Sequence, residues 1–283
     1  MIEGVPEGCY AGPPPRMAEV EAGGMRFFYR EWEESGPTVV LWHGITSSSG
    51  SWWRVAPALA QHGFHVYTPD LPGHGMSSDS LDGYAVTTTA GLLDAFMAAL
   101  DIADPIIVGH SWGGMNALVH ATVAKRQVPG HAYALIDPAL GIPADPSAML
   151  ENFLQGIGDP NDDEVQARIA DANPRWDPCD VWWAGWARSL ARPAAVRGFF
   201  NDNAGTNYTA NLGEVAIPML MQIADPDQGR GLFTLTTLPP IVAQLSSSVE
   251  LQSVTEAGHN IHRDDFDGSM AQVLPFIQRV AQV

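Results

Sequence analysis

The sequence predicts an α/β protein with a mostly parallel sheet covered on both faces by helices. Short apolar runs alternate with segments of helical spacing along most of its 283 residues, and such runs separated by helices mark strands buried on both sides. One run, Pro105-Ile106-Ile107-Val108, leads straight into Gly109-His110-Ser111-Trp112-Gly113, and Gly114 to His120 behind it read as a helix. Strand, sharp turn and helix around G-x-S-x-G is the context that exposes a strained serine at a strand end. Such a turn needs small residues on both sides, and Gly109 and Gly113 supply them.

The elements follow in order. Residues 1–18 contain Gly12-Pro13-Pro14-Pro15 and read as an extended arm. Met25 to Trp32 and Thr38 to Trp42 have the composition of strands, and a helical segment from about Trp52 to Gln61 precedes a strand at His65 to Pro69. Val86 to Leu100 places Leu92, Leu93, Phe96, Met97 and Leu100 on one helical face. Strands are then expected at Ile106 to Val108 and Ala132 to Ile136. From Ile142 to Leu212 no strand pattern occurs, and helical pieces are separated by Gly158-Asp159-Pro160 and Ala172-Asn173-Pro174. Strands resume at Pro218 to Ile223 and Val249 to Val254, and a last helix covers about Asp265 to Val280. The expected division is an arm (1–18), a core (19–141 and 213–283) and a helical insertion (142–212), placed where a lid would cover a site.

Composition excludes several classes. The net charge is −18, from 32 acidic against 14 basic residues, which argues against nucleic acid and anionic membranes as partners. No apolar run approaches the ~18–20 residues that span a bilayer, and Met1 to Glu7 lack the features of a signal peptide. The expectation is a cytoplasmic protein in which Cys9 and Cys179 are unpaired thiols. His62 and His65 stand without a carboxylate or cysteine cluster, and no G-x-G-x-x-G follows a strand. Neither a metal nor a dinucleotide cofactor is expected.

Ser111 is the candidate nucleophile, and a serine hydroxyl needs a base within hydrogen-bond reach and a third group to orient that base. Ala257-Gly258-His259-Asn260-Ile261-His262 follows the last strand, which makes His259 the candidate base and leaves His262 to support the loop or face solvent. The pieces His43-Gly44, Asp70-Leu71-Pro72-Gly73-His74-Gly75-Met76-Ser77, Gly109 to Gly113 and Gly258-His259 occur in that order. Together they resemble the α/β-hydrolase superfamily, in its lidded branch of esterases, lactonases and C–C hydrolases. The resemblance implies an eight-stranded, mostly parallel sheet with an inserted helical lid. It also implies the chain order serine, acid, histidine for a triad.

Three carboxylates compete for the acid. Asp227 fits the register of the G-x-x-D pattern common in that family, although Ala224 stands where glycine is usual. Asp225 lies in the same turn, and Asp137 ends the preceding strand, from which some family members take their acid. The resemblance places the oxyanion donors at the Trp112 and Ile45 backbone N–H groups, and gives the Asp70–Ser77 turn a structural role with no catalytic part for His74. A serine at the turn, where related epoxide hydrolases and haloalkane dehalogenases carry aspartate, implies an acyl-enzyme or a gem-diol route. The insertion is aromatic, with Trp176, Trp182, Trp183, Trp186, Phe153, Phe199 and Phe200. His43, Trp183 and Trp186 are therefore expected to line an apolar pocket for a neutral, small-molecule ester or lactone. The alternatives are a C–C hydrolase of a diketone or dienone using the same triad, and a non-catalytic ligand receptor on a hydrolase scaffold. A monomer or a homodimer is compatible with the sequence.

Overall fold

Alternation along the strands builds two apolar layers. Val40 and Trp42 face one side of the sheet, while Val39 and Leu41 face the other; Tyr133 and Leu135 alternate in the same way with Ala132, Ala134 and Ile136. The computed structural model describes residues 4–33, 35–123, 126–158 and 162–281. Its strands are β1 (Arg16–Ala22), β2 (Met25–Trp32), β3 (Thr38–Trp42), β4 (His65–Pro69), β5 (Ile106–His110), β6 (Ala132–Ile136), β7 (Met219–Ala224) and β8 (Val249–Val254). They form one eight-stranded sheet in the order β1-β2-β4-β3-β5-β6-β7-β8. The β1–β2 and β2–β4 pairings are antiparallel, and all pairings from β4 through β8 are parallel.

Helices α1 (Val55–Gln61) and α10 (Phe266–Ala281) cover one face. Helices α2 (Val86–Ala99) and α3 (Trp112–Thr122) cover the other. Strand β1 starts inside the segment expected to be an arm. It presents Ala18, Val20 and Ala22 to the core while Glu19 and Glu21 are exposed, the pattern of a half-solvated edge strand. Met1 to Glu3, the start of the expected arm, lie outside the described residues.

The insertion leaves the core at the bridge Gly141–Asn207 and holds α4 (Ser147–Leu154), α5 (Asp162–Ala172), α6 (Pro178–Leu190) and α7 (Pro193–Asp202). The Asp159-Pro160 break expected between its helices lies outside the described residues. Helix α6 begins at a Pro in its first turn, with the Asp177 side chain accepting the Cys179 N–H at 2.8 Å. A buried polar anchor then holds α6 to the core. Asp180 accepts from Trp53 Nε1 at 2.8 Å and pairs with Arg54 at 2.6 Å, while Trp183 Nε1 donates to the Cys9 carbonyl at 3.0 Å. The Arg30 guanidinium lies 4.3 Å over the Trp183 ring.

Cys9 and Cys179 are joined in a disulfide across 170 residues. The expectation of two unpaired thiols is thereby corrected. The two residues are remote in sequence, and only the docking of α6 against the N-terminal segment brings them together. Among the described residues no helix is long and apolar enough to cross a membrane.

Closing so long a loop restricts the unfolded chain, so Cys9→Ser should lower the unfolding free energy by about 2–5 kcal/mol. Thermal melts of the wild type with and without dithiothreitol check this. Superimposable curves, together with two titratable thiols in denaturant, would show that the bond does not form.

Candidate active site

Ser111 joins β5 to α3 with φ 54° and ψ −113°, a conformation that costs a non-glycine residue about 1–3 kcal/mol. Backbone bonds hold it there: its N–H donates to the Ile136 carbonyl at 3.0 Å, and its own carbonyl accepts from Met115 at 3.0 Å and Ala139 at 3.1 Å. The flanking glycines are needed for close approach. A side chain on Gly109 would collide with the backbone at Gly113, and one on Gly113 with the Trp42 and His43 carbonyls.

Three side chains meet at this turn. His259 Nε2 lies 3.0 Å from Ser111 Oγ, and His259 Nδ1 lies 2.7 Å from Asp137 Oδ2. Asp137 is fully buried at the end of β6. Its carboxylate also accepts the N–H groups of Ala224 at 3.1 Å and Leu232 at 3.0 Å, so both oxygens are held. The competing carboxylates are elsewhere. Asp227 is exposed, and Asp225 caps its own turn by accepting from Asp227 N at 3.0 Å and Glu256 N at 2.8 Å. The structure therefore brings Asp137, rather than the better-registered Asp227, to His259.

A cavity of about 370 Å³ opens over Ser111 and His259. Gly44, Ile45, Thr46 and Ser47 form its core side, and Phe153, Ile169 and Trp176 are among the residues the insertion contributes. Asn152, Gln155, Asn173, Asn260 and three arginines make much of the wall polar. Ile45 precedes Thr46, whose φ is 57°, and Trp112 opens α3, where first-turn N–H groups lack helical partners. Among the described residues neither the Ile45 nor the Trp112 backbone N–H donates to a protein acceptor. A hydroxyl bonded to an imidazole, itself bonded to a buried carboxylate, is an arrangement suited to nucleophilic attack on a carbonyl.

A family model described as the alpha/beta hydrolase fold matches residues 37–200. The chain is an α/β hydrolase. It is 30% identical over 267 residues to an N-formylmaleamate deformylase of Pseudomonas putida, spanning 91% of this chain and 95% of that protein. A haloalkane dehalogenase of Mesorhizobium japonicum is 33% identical over 129 residues, which cover 44% of this chain and 41% of the relative. Among solved structures, an E-2-(acetamidomethylene)succinate hydrolase superimposes with a TM-score of 0.77 at 21% identity, covering 93% of this chain and 99% of the other. The enol-lactonase of Burkholderia xenovorans gives 0.74 at 17% identity, over 92% of this chain and 100% of the other. At those identities the structural likeness concerns the fold.

The pocket of this α/β hydrolase differs from the aromatic one expected. Trp183 is fully buried between Gly50, Arg30 and the Cys9 segment, Trp186 packs against Trp183, and neither lines the cavity. Of the insertion's tryptophans, only Trp176, which was not among the residues expected to line the pocket, does so. His43 is also outside the wall. It is fully buried, with Nδ1–H donating to the Gly44 carbonyl at 2.8 Å and Nε2 accepting from Leu71 N at 2.9 Å. The Asp70–Ser77 turn is structural in this chain: Asp70 accepts from Ser49 N at 2.6 Å and Met76 N at 2.8 Å, tying the turn to the loop after β3.

His262 is buried between the Trp52 and His110 rings, at 4.9 Å and 4.8 Å. His110 was not singled out in the sequence, being the variable residue before the serine. It lines the cavity, and its Nε2 donates to the His259 carbonyl at 3.0 Å, which holds the histidine loop against the turn. Burial, followed by the nearby His259 charge, pushes the His110 imidazole well below its ordinary value, so it is a neutral donor. Among the described residues no group of three or more His, Cys, Asp or Glu could hold a metal ion.

Burial pushes His43 down from 6.5 to about 3. The unfolded imidazole binds a proton below about 6.5 and the folded one does not, so His43 contributes stability that is complete above that pH. That contribution is lost as pH falls toward about 3. Nitrogen-15 NMR should find His43 as the neutral Nδ1–H tautomer at pH 5. A protonated ring at that pH would contradict the bond from Leu71.

Proposed function

We propose that this chain is a serine hydrolase acting on the acyl bond of a small carbonyl compound, with an ester or lactone as the first expectation. The observation that carries this reading is the continuous line from Ser111 Oγ through His259 to the buried Asp137 carboxylate. His259 takes the Ser111 proton through Nε2 as Oγ attacks the carbonyl, and Asp137 stabilises the imidazolium through Nδ1. The Ile45 and Trp112 N–H groups receive the oxyanion. The imidazolium protonates the leaving group, water enters, and His259 deprotonates it to release the acid and restore Ser111. Residues 142–212 serve as a cap that restricts water and shapes the cavity.

The similarity to a deformylase over nearly the whole chain supports extending the range of acyl bonds to N-formyl amides. A C–C hydrolysis with the same three residues is the second reading. It is favoured by the arginines in the wall, which supply the polar groups such a substrate requires. The Cys9–Cys179 bond supports an oxidising location rather than the cytoplasm expected from the sequence.

A panel of aryl esters, lactones, N-formyl amides and a dienone, given to wild type and Ser111→Ala, tests the reading. Turnover of at least one acyl substrate should vanish in the variant, whereas undiminished turnover would place the chemistry elsewhere. On the best substrate, Asp137→Asn should lower kcat by about 10³–10⁴-fold, and Asp227→Asn should stay within about twofold of wild type. The reverse ranking would return the acid to the β7 turn.

A further inference from the structure

The chain carries 14 basic residues against 32 acidic ones, yet Arg168, Arg188 and Arg263 line one cavity. Among the described residues that line it there is no Asp or Glu. Arg263, on α9 (Ile261–Asp264), is only 7% exposed. Its guanidinium lies 4.8 Å over the Trp176 ring, one nitrogen reaches Ser47 Oγ at 3.4 Å, and its buried Nε has no hydrogen-bond partner among the described residues. Among the described residues, two acids near Arg263 are already engaged. Asp180 holds Trp53 and Arg54, and Asp264 accepts from Gly258 N at 2.7 Å and Trp176 Nε1 at 2.8 Å.

Arg188 comes to the cavity from α6, and its guanidinium donates to the Gln155 carbonyl at 3.2 Å. Burial lowers the Arg263 guanidinium from its ordinary value; Asp180 opposes this, and the Arg188 charge adds to it. Arg188 is lowered by burial and then by Arg168. Like charges gathered out of water disfavour one another unless an anion lies among them.

We propose that Arg263 and Arg188 form a carboxylate-binding subsite, so that the substrate is a small carboxylic acid whose acyl bond reaches Ser111. This rests on the serine-hydrolase reading of the same cavity and replaces the neutral substrate expected from the sequence with an anionic one. The planar guanidinium fork matches a carboxylate in two parallel hydrogen bonds. The 370 Å³ volume holds a compact acid. One guanidinium stands on the core and the other on the insertion, so a bound carboxylate bridges the two.

The test has a binding arm and a turnover arm. Ser111→Ala protein is titrated calorimetrically with succinate, with succinamide and with inorganic phosphate. Succinate should bind saturably and more tightly than the other two, and Arg188→Gln or Arg263→Gln in that background should weaken it by about 10–100-fold. No saturable succinate binding, or equal binding of the diamide, overturns the subsite; tighter binding of phosphate overturns the choice of carboxylate. Arg188, which is less buried, provides the decisive variant if Arg263→Gln fails to fold.

For turnover, wild type is given an aryl hemisuccinate and the aryl pentanoate with the same leaving group. The kcat/KM ratio should favour the hemisuccinate by about 100-fold and collapse at least tenfold in Arg188→Gln, mainly through KM. A wild-type ratio near one overturns the proposal. Succinate binding to Ser111→Ala protein with neither ester turned over would leave the subsite standing and defeat the acyl-transfer reading.

Discussion

The positive φ of Ser111 is the constraint on which the rest of the site depends. That conformation is unfavourable by about 1–3 kcal/mol, so it persists only where its surroundings determine it completely. Here the central strand β5 lies between β3 and β6, and contacts from both sides close on the turn. Gly113 packs on the Trp42 and His43 carbonyls at the end of β3. The Ile136 carbonyl at the end of β6 accepts the Ser111 N–H, and Ala139 donates back to the Ser111 carbonyl. The bonds that hold the serine thereby fix the segment containing Asp137 beside it.

This linkage explains why the β6 end can supply the carboxylate. Asp137 itself has φ 39° and is held by the Gln222 carbonyl, which accepts its N–H at 2.7 Å. Its carboxylate bridges β6 to Ala224 at the end of β7 and to Leu232 beyond it. The local register favours Asp227 instead, and nothing else local separates Asp137 from Asp225. Asp137-Pro138 and Asp225-Pro226 are both Asp-Pro pairs after apolar strands, and each reads as a turn. Only the order of strands in space, and the path of the His259 loop across their ends, distinguishes them.

Most of the fold was legible because its signals are local. Periodicity placed seven of the eight strands, and the glycines around Ser111 marked the turn. Strand β1 shows the period-two pattern, but the neighbouring prolines drew the arm boundary to residue 18, inside it. Ser111 and His259 were legible from motif and chain order. The features that were missed depend on long-range packing. Trp183 reads equally as a pocket wall or as core, and its place was decided by Arg30, Gly50 and the Cys9 carbonyl. The cysteine pair and the three arginines have no spacing to betray them, since they come together only when the insertion docks on the core.

The electrostatics of the proposed subsite follow from the same docking. A chain of net charge −18 repels a small anion at long range, but salt screens that repulsion beyond about 8 Å. Capture therefore gains little from steering, and discrimination must arise inside the cavity. There the lower effective dielectric makes a guanidinium–carboxylate contact several-fold stronger than in water. Such contacts favour binding only when the guanidinium groups are already in position. Arg263 is held by Trp176 and Ser47, and Arg188 rides on α6, which Asp180 and the Cys9–Cys179 bond anchor to the core and the N-terminal segment. The disulfide thus fixes the helix that carries half of the anion site, so the spacing of the two charges is set before a substrate arrives.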